Sequence, residues 1–163
     1  MNKIIIIVTL VVVSLIGLMI WGKSAQNTVE ADTGAISNLT YSEKLYDFGI
    51  ISMKNGLVTK DFTVTNNTEK DIVIPSLVTS CMCTKAYFVK PDGSTKGPFG
   101  MPSMGFVPPL NETIKVGESR VVRAVYDPNA HGPAGVGPID RFLIMTDAVG
   151  GKLQLEIKAM VTP

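Results

Sequence analysis

Two hydrophobic patterns divide the chain. From Ile4 to Trp21 eighteen residues run without a charge, softened only by Thr9, Ser14 and Gly17. From Leu39 onward, apolar residues instead come in short alternating or continuous stretches separated by turn residues, and none sustains a 3.6-residue period. At about 1.5 Å per residue the first run spans about 27 Å as a helix, close to the roughly 30 Å hydrocarbon core, with Trp21 at the far interface. It predicts one transmembrane helix over residues 4–21, after a short flank of residues 1–3. A cleaved signal peptide is the competing reading, but the local candidate, Lys23-Ser24-Ala25, puts a lysine where a small residue is wanted. A lipoprotein anchor would need a cysteine directly after the run, and both cysteines lie far downstream. Lys3 and the amino terminus set against Lys23 point the C-terminal part outward from the membrane. Residues 22–37, rich in Ser, Ala, Asn, Thr and Gly, read as a flexible tether.

The second pattern predicts an all-β domain over residues 38–163. Leu153, Leu155, Ile157, Ala159 and Val161 alternate with Gln154, Glu156, Lys158 and Met160, which puts one row on a core and the other in water. Val58, Lys60, Phe62 and Val64 precede Asn66-Asn67, and Ile72 and Ile74 precede Pro75, which marks an edge or a strand end. Val121–Tyr126 and Phe142–Met145 are continuous runs suited to a sandwich interior. Gly150-Gly151 lies between the last two strands as a hairpin turn. About seven strands at this spacing fit an immunoglobulin-like β-sandwich. Pro91–Pro109 and Asp127–Pro138, dense in Gly and Pro, read as long irregular loops, where function concentrates.

Charge adds an exclusion. Of 15 basic residues, Lys3 and Lys23 fall before the exported part, leaving 13 against 14 acidic. A nearly neutral domain offers no basic field for nucleic acid.

The segments Tyr46-Asp47-Phe48-Gly49, Phe62, Val64 and Asn66, Ser80-Cys81-Met82-Cys83-Thr84, Gly117-Glu118-Ser119 and Tyr126-Asp127-Pro128 together resemble the bacterial domain-of-unknown-function family numbered fifteen seventy-three, Ig-like domains similar to the hydin type. The likeness covers about Leu45 to Val161, and Ser-Cys-x-Cys-Thr is its most specific element. It implies a secreted or membrane-attached β-sandwich and no enzyme activity. Met82 stands where glycine is commoner in the family's motif, and the long Gly/Pro/Met loop is an elaboration.

Cys81 and Cys83 are the residues with candidate chemistry. Along an extended strand their Cα atoms would be about 6.6 Å apart, so a bridge between them needs a sharp turn and would be easily reduced. Two thiolates can instead lean over a metal, since tetrahedral zinc asks for sulfurs about 3.8 Å apart. The other soft or imidazole ligands are Met101, Met104 and the single histidine, His131, all in the two long loops. Thiolate, thioether and imidazole together favour copper(I) over zinc. Three readings stay open: a soft-metal site of Cys81, Cys83, His131 and Met101 or Met104; a redox-active pair; and plain packing residues with His131 in a turn. Asp127–Pro138 fails as a calcium loop because Pro138 stands where the bidentate carboxylate should be. Asp47, Asp127, Asp140 and Asp147 read as turn caps. Asn38, Asn66 and Asn111 head Asn-x-Ser/Thr sequons.

The expected protein is a non-catalytic, single-pass module of the cell membrane with an extracytoplasmic Ig-like domain. It is anchored through residues 4–21 and binds a protein partner. An envelope copper-binding protein and a thiol-disulfide partner are the alternatives.

Overall fold

The computed structural model describes residues 35–163, so the flank, the expected transmembrane helix and residues 22–34 of the tether lie outside the described residues. No helix among the described residues is long and apolar enough to cross a membrane.

The chain is all-β. Its strands are β1 (Thr40–Tyr41), β2 (Leu45–Ser52), β3 (Val58–Thr65), β4 (Ile72–Ile74), β5 (Ser76–Thr79), β6 (Thr84–Val89), β7 (Thr95–Phe99), β8 (Glu112–Ile114), β9 (Ser119–Tyr126), β10 (Gly137–Thr146) and β11 (Lys152–Thr162). One sheet runs β1-β3-β9-β6-β7, a second runs β2-β11-β10-β5, and β4-β8 form a two-stranded ribbon. All pairs are antiparallel except β2 with β11. Hydrogen bonding begins before β1: Lys152 N–H donates to Ala35 O at 2.9 Å, and Ser37 N–H to Lys152 O at 3.1 Å.

The period-two rows do what alternation requires. Leu153, Leu155, Ile157, Ala159 and Val161 are buried while Gln154 and Met160 are exposed. Phe62, Val64, Ala86, Phe88, Val122, Ala124 and Tyr126 of the first large sheet join Leu77, Leu143, Met145, Leu155 and Ile157 of the second in one buried cluster. Each buried Val, Leu, Ile, Phe or Met side chain of this cluster is worth about 1.5–3 kcal/mol, and a shared core between two open sheets is consistent with a β-sandwich.

Eleven strands are found among the described residues where about seven are expected. The excess lies in short pieces that carry no alternation, notably β7 and β8, inside or beside the stretch Pro91–Pro109. β7 exists because β6 pairs with it. Gly97 (φ +129°) permits the approach, since a Cβ there would sit 2.9 Å from Ala86 O. The expected hairpin between the last two strands is present: Asp147 is buried, and its Oδ1 accepts from Gly151 N–H at 2.7 Å and Val149 N–H at 3.1 Å.

Asn66 is fully buried in the turn after β3. Its Nδ2 donates to Lys70 O and Ile114 O, both at 2.8 Å, and its Oδ1 accepts from Thr68 N–H at 3.0 Å and the Thr68 hydroxyl at 2.7 Å. The sequon at Asn66 is therefore closed to glycosylation, its amide nitrogen being spent on the core. Asn66→Asp removes both donors and faces two carbonyls with a carboxylate. Urea unfolding is expected to show a loss on the order of 3 kcal/mol, against little change for Asn67→Asp at the exposed neighbour.

Asp61 and Glu112 are two of the carboxylates whose titration the fold shifts. The hydrogen bonds from Arg123, and then the charges of Arg123 and Lys60, hold Asp61 below its ordinary 3.8 against partial desolvation. The hydrogen bond from Lys96 at 2.6 Å, and then the charges of Lys96 and Lys90, hold Glu112 below 4.5. A carboxyl lowered by folding contributes stability above its unfolded pKa and loses it as pH falls through the folded one. The midpoint of urea unfolding is thus expected to be flat between about pH 6 and 8 and to fall below about pH 4.5. Asp61→Asn should flatten the acid limb.

Candidate functional site

The chain changes sheets between β5 and β6. Within Ser80–Cys83 it must leave the four-stranded sheet and enter the five-stranded one, so this segment turns rather than extends. Thr84 N–H donates to Cys81 O at 3.1 Å to close the turn. Ser80 N–H donates to Phe142 O at 3.0 Å, and Ser80 Oγ accepts from Phe142 N–H at 2.9 Å, which fastens the turn to β10. Asp127 N–H donates to Cys83 O at 2.8 Å and fastens it to the end of β9. The buried Thr79 hydroxyl lies 3.1 Å from Cys81 O and 3.0 Å from Thr84 O.

The Cα atoms of Cys81 and Cys83 are consequently 5.3 Å apart, and their sulfurs are bonded to each other in a disulfide. This corrects the expectation of an extended Cys-x-Cys pair disposed against a bridge: the sharp turn that such a bridge needs is supplied by the crossing between sheets.

The second crossing, from β9 to β10, comes from the same end. Asp127 Oδ1 accepts from Asn129 N–H at 2.8 Å, and Asn129 Nδ2 donates at 2.9 Å to the carbonyl of Met53, in the single 3-10 turn after β2. A further 3-10 turn at Gly132–Gly135 follows. A Cβ on Gly135 would lie 3.2 Å from Pro128 O and 3.4 Å from both His131 Cβ and Met53 Cε, so this bend packs tightly only with glycine. The result places His131 Nε2 3.2 Å from Cys81 Sγ. On the other side, Arg141 Nε donates to Cys83 Sγ at 3.2 Å, and its Nη1 donates to Asp140 O at 2.8 Å. Cys83 is 2% exposed, Cys81 is half-buried and His131 is exposed. Burial holds the neighbouring Tyr126 phenol above its ordinary 10.0, with Arg141 opposing and Asp127 adding to the shift.

Of the residues expected to form the site, Cys81, Cys83 and His131 do come together, with their ligand atoms all within 4.8 Å of one another. Met101 follows Gly100, whose carbonyl accepts from Thr79 N–H at 3.0 Å, so its loop reaches the strand leading into Cys81. Met104 is 61% exposed, on a 3-10 turn of that loop. Two residues were not anticipated. Met53 reaches the His131 loop from the 3-10 turn after β2. Arg141 occupies the inward register of β10, between Ile139 and Leu143 and opposite the buried Ile157. A charge in the apolar phase of a strand is the signal that marks it in the sequence. The group now consists of a disulfide with an imidazole at one sulfur and a guanidinium at the other. It is equipped to exchange with thiols and, once reduced, to hold a soft cation.

A family model described as a protein of unknown function (DUF1573) matches residues 39–95, which include both cysteines. A protein of unknown function from Porphyromonas gingivalis W83 is similar in fold, with a TM-score of 0.55 and 13% identity, over 82% of this chain and 51% of that one. A family 123 glycoside hydrolase from Clostridium perfringens (TM-score 0.49, 8% identity) aligns over 72% of this chain and 22% of its own. The secreted serine protease VesC from Vibrio cholerae (TM-score 0.48, 17% identity) aligns over 77% and 24%. The chain thus spans about half the length of the first and about a quarter of the others. No curated protein matches it.

Proposed function

We propose that this chain, whose residues 39–95 match the family model of proteins of unknown function DUF1573, is a non-catalytic Ig-like binding module, held outside the cell membrane by residues 4–21, that engages a dithiol partner protein through Cys81 and Cys83. The Ig-like assignment is supported by strand order. β3-β9-β6 reproduce the B-E-D order of that fold, and β5-β10-β11 its C-F-G order, with each strand in the right sequence position. The anchor is supported by the charge-free run from Ile4 to Trp21.

One observation carries the thiol reading: the two sulfurs have different surroundings. Cys81 is the accessible one and Cys83 the buried one, with Arg141 donating to Cys83 Sγ. A partner thiolate attacks Cys81 Sγ. The bond to Cys83 breaks, and the electron pair leaves with Cys83 as a thiolate that the guanidinium stabilises. The partner's second thiol, as thiolate, then displaces Cys81, which leaves as a thiolate beside His131. The partner departs oxidised by two electrons, and the pair is reduced by the same two. A dithiol suits an exchange with a pair only two residues apart, because the closing step is intramolecular on the partner.

Full-length chain in detergent micelles tests this. In Cys83→Ser the remaining Cys81 is expected to form a mixed disulfide with oxidised glutathione at least about tenfold faster than Cys83 does in Cys81→Ser. Arg141→Gln should slow reduction of the native pair by a dithiol without altering the melt. Equal trapping of the two single-cysteine variants, or a pair that stays oxidised in dithiothreitol, would leave a plain adhesion or scaffold module instead. A reporter fused at Pro163 should be active only outside the cytoplasm.

A further inference from the structure

We infer that the reduced pair, together with His131, forms a redox-gated copper(I) site, so that the disulfide and the metal exclude each other. This rests on the reading that the pair is reducible, and it adds a ligand to it. Three ligand atoms, Cys81 Sγ, Cys83 Sγ and His131 Nε2, already lie within 4.8 Å of one another. The turn that holds the cysteines is fixed by backbone hydrogen bonds to β9 and β10 rather than by the S–S bond alone. Reduction therefore leaves the two side chains on the same rim, with Cα atoms near the 5.3 Å of the oxidised form. Rotation of the two thiolates is enough to reach the roughly 3.8 Å separation that bonds of about 2.3 Å require. The sulfur-to-nitrogen distance of 3.2 Å between Cys81 and His131 is already close to the roughly 3.5 Å between neighbouring ligands of a bound metal.

Ligand softness selects the ion: two thiolates and an imidazole favour copper(I) over harder cations. Ligand number points the same way. Structural zinc takes four protein ligands, and the cluster holds three, all soft or imidazole and none a carboxylate.

The balance is explicit. A dithiol reductant delivers two electrons and two protons, turning the disulfide into two thiols and itself into a disulfide. Copper(I) then displaces both thiol protons and undergoes no change of oxidation state. Reoxidation of the pair by a disulfide partner would release the ion.

The test uses full-length chain in detergent micelles, reduced anaerobically with excess phosphine, desalted and checked for two free thiols. It is then titrated with copper(I) against a colorimetric copper(I) chelator. One equivalent is expected to bind, with an ultraviolet thiolate-to-copper absorption, and the oxidised chain is expected to bind none. His131→Ala, at an exposed position, should weaken binding at least about tenfold while keeping the melt. Cys81→Ser should abolish it. Two free thiols without copper uptake overturn the site while leaving the exchange reading standing. Tighter binding of zinc(II) than copper(I), or full affinity in His131→Ala, also overturns it. A disulfide that resists the phosphine overturns both readings.

Discussion

Two sheets that share one core force the chain to pass from one sheet to the other, and one of the short passages shapes the candidate site. Face-to-face sheets lie about 10 Å apart. The chain leaves β5 in one sheet and starts β6 in the other after only Ser80, Cys81, Met82 and Cys83. A segment that short at the rim of a core must bend, and bending brings residues two apart within bridging distance. The return passage from β9 to β10 occurs at the same rim and delivers His131. The site is thus a by-product of how the core is closed.

The same closure explains the contrast between the two sulfurs. Cys83 is buried by the turn that directly precedes the inward row of Thr84, Ala86 and Phe88, while Cys81 stays half-buried at the mouth of the turn. Arg141, half-buried, takes an inward register position beside Cys83. A guanidinium there is tolerable because it has acceptors within reach, Cys83 Sγ and Asp140 O, and because a polarizable sulfur serves better than an aliphatic neighbour would. The placement costs the core an apolar residue at one position of β10. A charge kept in such a position, beside the one sulfur it can polarise, is what separates this corner from ordinary rim packing.

Much of the chemistry was readable from local pattern, and its limits are instructive. Cys81 and Cys83 are close in sequence, so their pairing is a local question, but whether they are bridged depends on the turn, which depends on sheet membership. His131 was a candidate only because it is the single histidine. It lies fifty residues from Cys81, and no local rule joins the two. Met101 and Met104 had equal claims by composition, yet Met53, from the other sheet's edge, is the methionine that packs on the His131 loop. Thioether ligands carry no spacing signature, so composition could not rank them.

By itself the sequence determined the all-β class, the principal strands and the inward rows of β3 and β11, because a side-chain period of two is a property of each strand alone. It also determined the hairpin at Gly150-Gly151, whose geometry is settled by the residues in it. Only the tertiary structure decided that β7 and β8 are strands, that Asn66 is a buried hub rather than an open sequon, and that a disulfide, an imidazole and a guanidinium meet at one rim. Those outcomes depend on pairing partners far away in the chain, and a pairing is a free-energy balance over the whole core rather than a preference of any segment.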